Sequence, residues 1–204
     1  MIHITRRIAP GLVAFALALA SIPAQAQPLD LRDPVSADSL PDSKRTTPGL
    51  YILAAEAGRI LENQDNVALI DVRAPSEIML IGYATPTAAV IPSRIVDPEI
   101  NEASRTGTYK MVKNPDFEVE FRAWLDSDAA RGVEIVLISC RSGSRSAAAI
   151  ERLVEADVDL PLYSVVDGFE GDKSNTGARD VNGWRNAGLP WTYEIRDGLR
   201  PKLN

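Results

Sequence analysis

Three short, mostly apolar runs constrain this chain more than any other feature. They are "VALIDV" at 67–72, "VEIVLIS" at 133–139 and "LYSVVDG" at 162–168, and none alternates between apolar and polar residues. Strands of that kind are buried on both faces, which in a domain of ordinary size means parallel strands between helical layers. "AAVIPS" at 88–93 suits a further short strand, and 50–53 an edge strand. Helical patterns lie between the runs. "AAEAGRILEN" sets Ala54, Ala57, Ile60 and Leu61 on one face, and "DFEVEFRAWLDSDAA" does the same for Phe117, Phe121, Trp124 and Leu125. "APSEIMLIG" starts with a proline in its first turn, and "SRSAAAIERLVEA" follows the second long run. "WRNAGLPW" predicts a short closing helix with a glycine stop and proline beyond. The expected fold class is α/β, with a central, mostly parallel sheet and helices on both faces.

The start of the chain has the order of an export signal. Arg6 and Arg7 precede an apolar run at 11–22, and "AQA" at 24–26 is a small-x-small cleavage site. The run has about 12 residues, short of the roughly 20 that span a bilayer. Residues 1–26 are therefore expected to be removed, leaving a periplasmic or secreted protein with no membrane attachment. Residues 27–48, rich in Pro, Asp and Ser, predict an extended N-terminal arm. The domain is expected over 49–196, with a tail at 197–204. The polar stretches 95–114 and 171–183 read as insertions.

Removing 26 of the 204 residues takes away two arginines and no acid, so 22 basic residues become 20 against 28 acidic ones. That balance argues against nucleic acid as a partner. The sole histidine, His3, lies in the export segment. The mature chain therefore has no Cys-His dyad, no Ser-His-Asp triad and no histidine metal site. No metal or cofactor is expected, and the chain carries neither GxGxxG nor a phosphate loop ending in Lys-Ser/Thr.

The sole cysteine, Cys140, is an intermolecular bridge, a free reactive thiol or a small buried hydrophobe. Its position favours the thiol. In open parallel sheets chemistry gathers at the carboxyl ends of strands, where Asp71, Cys140 and Asp167-Gly168 all fall. Cysteine reacts as its thiolate, and a helix start with fixed positive charge favours that form. Ser144 or Arg145 opens the helix, Gly143 lets the backbone curl around an anion, and Arg141 and Arg145 add charge. The loop is Cys-x4-Arg, one residue shorter than the Cys-x5-Arg loop of cysteine phosphatases. That length suits a cysteine carrying one extra sulfur atom better than one attacking phosphorus.

"LIDVRAPSE", "IVLISCRSGSRSAAA" and "GWRNAGLPW" together resemble the rhodanese (thiosulfate sulfurtransferase) family over roughly 68–191. The resemblance implies a transferase whose Cys140 takes sulfane sulfur from a small anionic donor such as thiosulfate. The persulfide then passes sulfur to a thiol or cyanide. It implies that Arg141, Ser142, Gly143, Ser144 and Arg145 bind the donor. Asp71, Arg73 and Glu77 would support the site, Asp71 by steadying the loop and Arg73 and Glu77 as a pair. Trp184 and Trp191 are expected in the core. The chain departs from the family at "IGYATPTAAVIPS", where many members have Gly-His-Ile. A non-enzymatic binding module and a cysteine phosphatase or arsenate reductase are the competing readings.

Overall fold

The computed structural model describes residues 28–97 and 109–199. The expected export segment lies outside them. Among the described residues, nine strands and four α-helices follow in chain order: β1 (Tyr51–Ile52), α1 (Ala54–Asn63), β2 (Val67–Asp71), α2 (Pro75–Ile81), β3 (Tyr83–Ala84), β4 (Thr87–Val90), β5 (Arg94–Val96), β6 (Met111–Lys113), α3 (Phe117–Leu125), β7 (Ile135–Ser139), α4 (Ser144–Glu155), β8 (Leu162–Val165) and β9 (Trp191–Thr192). Five of the strands make one sheet in the order β1-β8-β7-β2-β4. Every neighbouring pair in it is parallel. This is the expected rhodanese-like α/β class.

The apolar runs explain the layering. Every residue of β2 and β7 is buried, and successive side chains point to opposite faces. Ala68, Ile70, Val136 and Ile138 pack with Phe117, Phe121 and Trp124 of α3 and Ile150 and Leu153 of α4. Val67, Leu69, Ile135 and Leu137 pack with Ala54, Ala57 and Ile60 of α1 and with Phe169 and Trp184. Trp191 is only partly buried and covers that second face from its edge. Both faces are thus closed, and what remains open are the strand ends.

Several elements end differently from expectation. The helix beginning at Phe117 stops at Leu125 rather than running to 130. Ser127 Oγ there donates to the Trp124 carbonyl at 2.6 Å, the local competition that makes serine a poor helix continuation. β4 ends at Val90, two residues before Pro92 removes a ladder donor. "WRNAGLPW" makes a single turn instead of a helix. Gly188, at φ +70°, closes it: its N–H donates to Arg185 O at 3.1 Å and the Leu189 N–H to Trp184 O at 3.3 Å. The stretch 95–114 is not wholly irregular, because β5 and β6 pair antiparallel at its two ends, Ile95 opposite Val112.

The described part of the arm, from residue 28, lies against the domain. Leu29 and Leu40 are buried, and two one-turn 3-10 segments run over 37–39 and 42–44. Thr47 holds α4 through Glu151, its N–H at 2.6 Å and its hydroxyl at 2.7 Å. The Lys44 ammonium pairs with Asp172 of the second insertion at 2.9 and 3.0 Å.

Asp167, just past β8, joins three segments. One oxygen accepts from the Ala54 N–H, which opens α1, at 2.8 Å, and the other from the Gly183 N–H at 3.0 Å. Burial raises its carboxyl above the ordinary range, and the backbone N–H groups of Ala54 and Gly183 work against that. Asp167→Ala would leave both donors buried and unpaired. Urea unfolding is expected to show a loss of about 2–3 kcal/mol. A loss below about 0.5 kcal/mol, the scale of a surface change, would show that Asp167 is not a tie.

Candidate active site

β7 ends at Ser139, and four residues, Cys140–Gly143, separate it from α4. Cys140 is a free cysteine with 1% of its surface exposed. Its Sγ accepts a hydrogen bond from the Gly143 N–H at 3.2 Å. The turn after β8 imposes this curl. Phe169 N–H donates to Cys140 O at 2.8 Å, and Glu170 and Gly171 N–H donate to Arg141 O at 2.9 and 3.2 Å. With the loop carbonyls engaged on that side, an N–H is left for the sulfur.

Two glycines allow this contact. Gly143 has φ +99°, and a Cβ on it would lie 2.1 Å from Val166 O. Gly168 has φ +62°, and a Cβ there would lie 2.5 Å from Cys140 O. α4 starts with no side-chain cap and no acid in its first turn. The positive end of the helix therefore meets the cysteine loop without a neutralising side chain of its own.

The predicted charged residues gather here with different pairings. Glu77 does not pair with Arg73. It takes Arg145 in a two-pronged ion pair, Nη1 to Oε2 at 2.7 Å and Nη2 to Oε1 at 2.6 Å. Its Oε2 also accepts the Ala74 N–H at 3.0 Å. Arg73 is completely buried and belongs to Asp71, with contacts of 3.0, 3.0 and 2.6 Å. Its guanidinium also donates to Gly82 O at 2.9 Å and lies 4.2 Å from the Phe169 ring centre. The reason is position along the chain. Asp71 and Arg73 are two residues apart at a strand end, while Glu77 sits on the first turn of α2, facing α4. Asp71 thus reaches the cysteine loop through Arg73 and Phe169.

Arg145 has both terminal nitrogens engaged by Glu77, so it is a fixed charge beside the loop rather than a free fork. Burial works to lower its basicity, but the Glu77 bond and charge outweigh it, with Cys140 and Asp71 adding to the rise. Arg141 is exposed and makes no ion pair among the described residues. Ser142 is half-buried and Ser144 exposed.

Sequence reasoning missed two residues here. The side chain of Lys44 lies 3.1 Å from where a Gly143 Cβ would stand. Arg179, from the second insertion, donates to the carbonyl of Gly171. Neither has a periodic or motif signal, and both are brought in by folding alone. Among the described residues, no group of three or more His, Cys, Asp or Glu is placed to hold a metal ion.

Fold and site together define an α/β protein with one buried thiol at a strand-to-helix turn, flanked by arginines. Neither a family model nor a curated protein matches the chain. Among solved structures it is similar to the crystal structure of Rv0390 from M. tuberculosis, at 30% identity and a TM-score of 0.52. The match covers 70% of this chain and 96% of that one. The chain belongs to the same family as Rv0390.

Two predictions follow from this geometry. The Glu77 carboxyl feels burial, which raises it, but Arg145 more than offsets this and holds it below the ordinary 4.5. A carboxyl lowered by folding adds stability above pH 4.5 and loses it as the pH falls through the lowered value. Glu77→Gln should therefore be less stable than wild type by about 2 kcal/mol at pH 7. Denaturation across pH should show that gap closing below pH 4.5, and a gap independent of pH would mean the ion pair does not contribute. Separately, Gly143→Ala should cost about 2–3 kcal/mol, through its positive φ and the clash with Val166 O. Gly132, at φ +81° with nothing within 4 Å of its Cβ position, isolates the conformational part. Equal losses for the two alanine variants would show that the clash at 143 is relieved freely.

Proposed function

We propose that this protein is a sulfurtransferase of the rhodanese type, an enzyme that carries sulfane sulfur on Cys140. The observation that carries the reading is the cysteine itself. Cys140 accepts the Gly143 N–H at the start of a helix whose first turn has no acid, with Arg145 fixed alongside and Arg141 open to solvent.

The reaction balances on these groups. The Cys140 thiolate attacks the outer sulfur of thiosulfate. The sulfur–sulfur bond of thiosulfate breaks, and its electron pair leaves with sulfite. A bond between Sγ and the transferred sulfur forms, and the persulfide is anionic, as the thiolate was. A thiolate or cyanide then attacks the terminal sulfur, releasing a new persulfide or thiocyanate and returning the Cys140 thiolate. The balance needs no oxidant, no reductant and no base, which agrees with a mature chain without histidine. The N–H of Gly143 and the end of α4 offer hydrogen bonds to whichever sulfur bears the charge. Burial keeps bulk water from the persulfide.

The chain's first 26 residues support work outside the cytoplasm, in the periplasm or after secretion. Cys-x4-Arg is one residue short of the phosphatase loop, and the intact cysteine speaks against a binding module alone.

Cys140→Ser tests the assignment. Serine fits the same loop, and its hydroxyl does not carry sulfane sulfur. Thiocyanate formation from thiosulfate and cyanide should fall to background while the denaturation midpoint stays near that of wild type. Turnover close to wild type in the serine protein would place the chemistry on another group.

A further inference from the structure

The second insertion is held more firmly than a connecting loop requires. Gly183 N–H is fixed on Asp167 at 3.0 Å and Asp172 N–H on Asn182 Oδ1 at 2.8 Å. The Asn186 amide donates to the carbonyls of Glu170, Arg179 and Asn182 at 3.0, 3.1 and 2.7 Å. Lys44 of the arm pairs with Asp172. What this anchoring delivers to the cysteine loop is Arg179. Its Nη1 donates to Gly171 O, and the N–H of the same glycine donates to Arg141 O at 3.2 Å. A single residue thus links the Arg179 guanidinium to the residue following the cysteine.

The site arginines divide into two kinds. Arg73 and Arg145 are each matched to a carboxylate. Arg141 and Arg179 form no ion pair among the described residues. Burial lowers the basicity of Arg179 first, and the like charge of Arg141 lowers it further, while Glu170, Asp172 and Cys140 act the other way. Two like charges that act on each other, with neither matched to a carboxylate, repel, and an anion bound to both removes that repulsion. A doubly charged donor needs more than one cation, and Arg145 already gives both terminal nitrogens to Glu77.

We propose that Arg179 and Arg141 together form an anion subsite at the mouth of the cysteine loop, gripping the oxyanion end of the sulfur donor. In thiosulfate that end is the sulfonate group that departs as sulfite, so the pair selects doubly charged donors and holds the leaving group. The identity of the donor rests on the sulfurtransferase reading, whereas binding of the anion does not require turnover.

Calorimetry on the full-length Cys140→Ser protein separates the two. Thiosulfate should bind it at least about tenfold more tightly than it binds Cys140→Ser/Arg179→Gln, the weight of one charge-assisted hydrogen bond. Arg179→Lys should recover part of the loss, and added salt should weaken binding less in the glutamine variant. Unchanged affinity and salt dependence in the glutamine variant would overturn the subsite and leave sulfur transfer standing. Arg179-dependent binding in a protein whose wild type forms no thiocyanate would overturn the transfer reading and leave the subsite standing. A merely structural Arg179 is exposed by a neutral reagent. Acrylamide forms a carbon–sulfur bond to Cys140 by opening its double bond and taking up a proton from water, so it brings no charge and releases no anion for a guanidinium to hold. Its rate should fall far less in Arg179→Gln than the thiosulfate affinity does; a rate that falls as far as the thiosulfate affinity would mean that Arg179 shapes the loop rather than binding the anion.

Discussion

The seating of the cysteine loop on the turn after β8 governs the rest of this site. Phe169, Glu170 and Gly171 present three successive N–H groups to the carbonyls of Cys140 and Arg141. The two backbones come so close that neither Gly143 nor Gly168 has space for a Cβ. That contact turns the loop so that Gly143 N–H meets Sγ, and it sets the direction in which α4 departs. It also fixes where the chain resumes after Gly171, and hence where the second insertion starts. β7 and β8 are neighbours in the parallel sheet, so the two strand ends that meet here are placed by the core before any side chain of the loop acts.

Charge is then distributed around a fixed backbone. Asp71 and Arg73 form a buried pair beneath Phe169, whose N–H holds the Cys140 carbonyl. Buried ion pairs add little net stability, but removing one partner is costly. The pair thus works as a rigid support, because neither member tolerates separation. Glu77 does the same for Arg145 from the other side, joining α2 to α4. Arg141 and Arg179 stand apart from this scheme, because neither forms an ion pair among the described residues. Lys44 and Asp172 extend the support outward, so that the arm, the second insertion and the start of α4 brace one another.

The sheet was the most legible part of the sequence. Runs such as "VALID" and "IVLIS" have no polar face, and only a strand covered on both sides accommodates them. The cysteine loop was legible because its signals are local: a strand end, a glycine and a helix start within five residues. The pairings were not. Glu77 and Arg145 are 68 residues apart, and nothing in "VRAPSE" distinguishes Arg73 from Arg145 as the partner of Glu77. Arg179 was invisible for the same reason, since its approach to the loop depends on Asp167, Asn182 and Asn186, which read in sequence as a strand end, an insertion residue and part of a helix, with nothing to link them. "WRNAGLPW" shows a local signal read too far. Its glycine stop is real, but the turn it ends is a single one, because Trp191 is drawn into pairing with Ala84. The ladder between β5 and β6 escaped notice because its strands are three residues each and half-exposed.

The central claim is that Cys140 covalently carries sulfur. Intact-mass spectrometry of the protein after incubation with thiosulfate and removal of excess reagent tests it most directly. The account predicts a gain of one sulfur atom, mapped by peptide analysis to Cys140 and lost again on addition of cyanide. An unchanged mass, or a gain located away from Cys140, would contradict it.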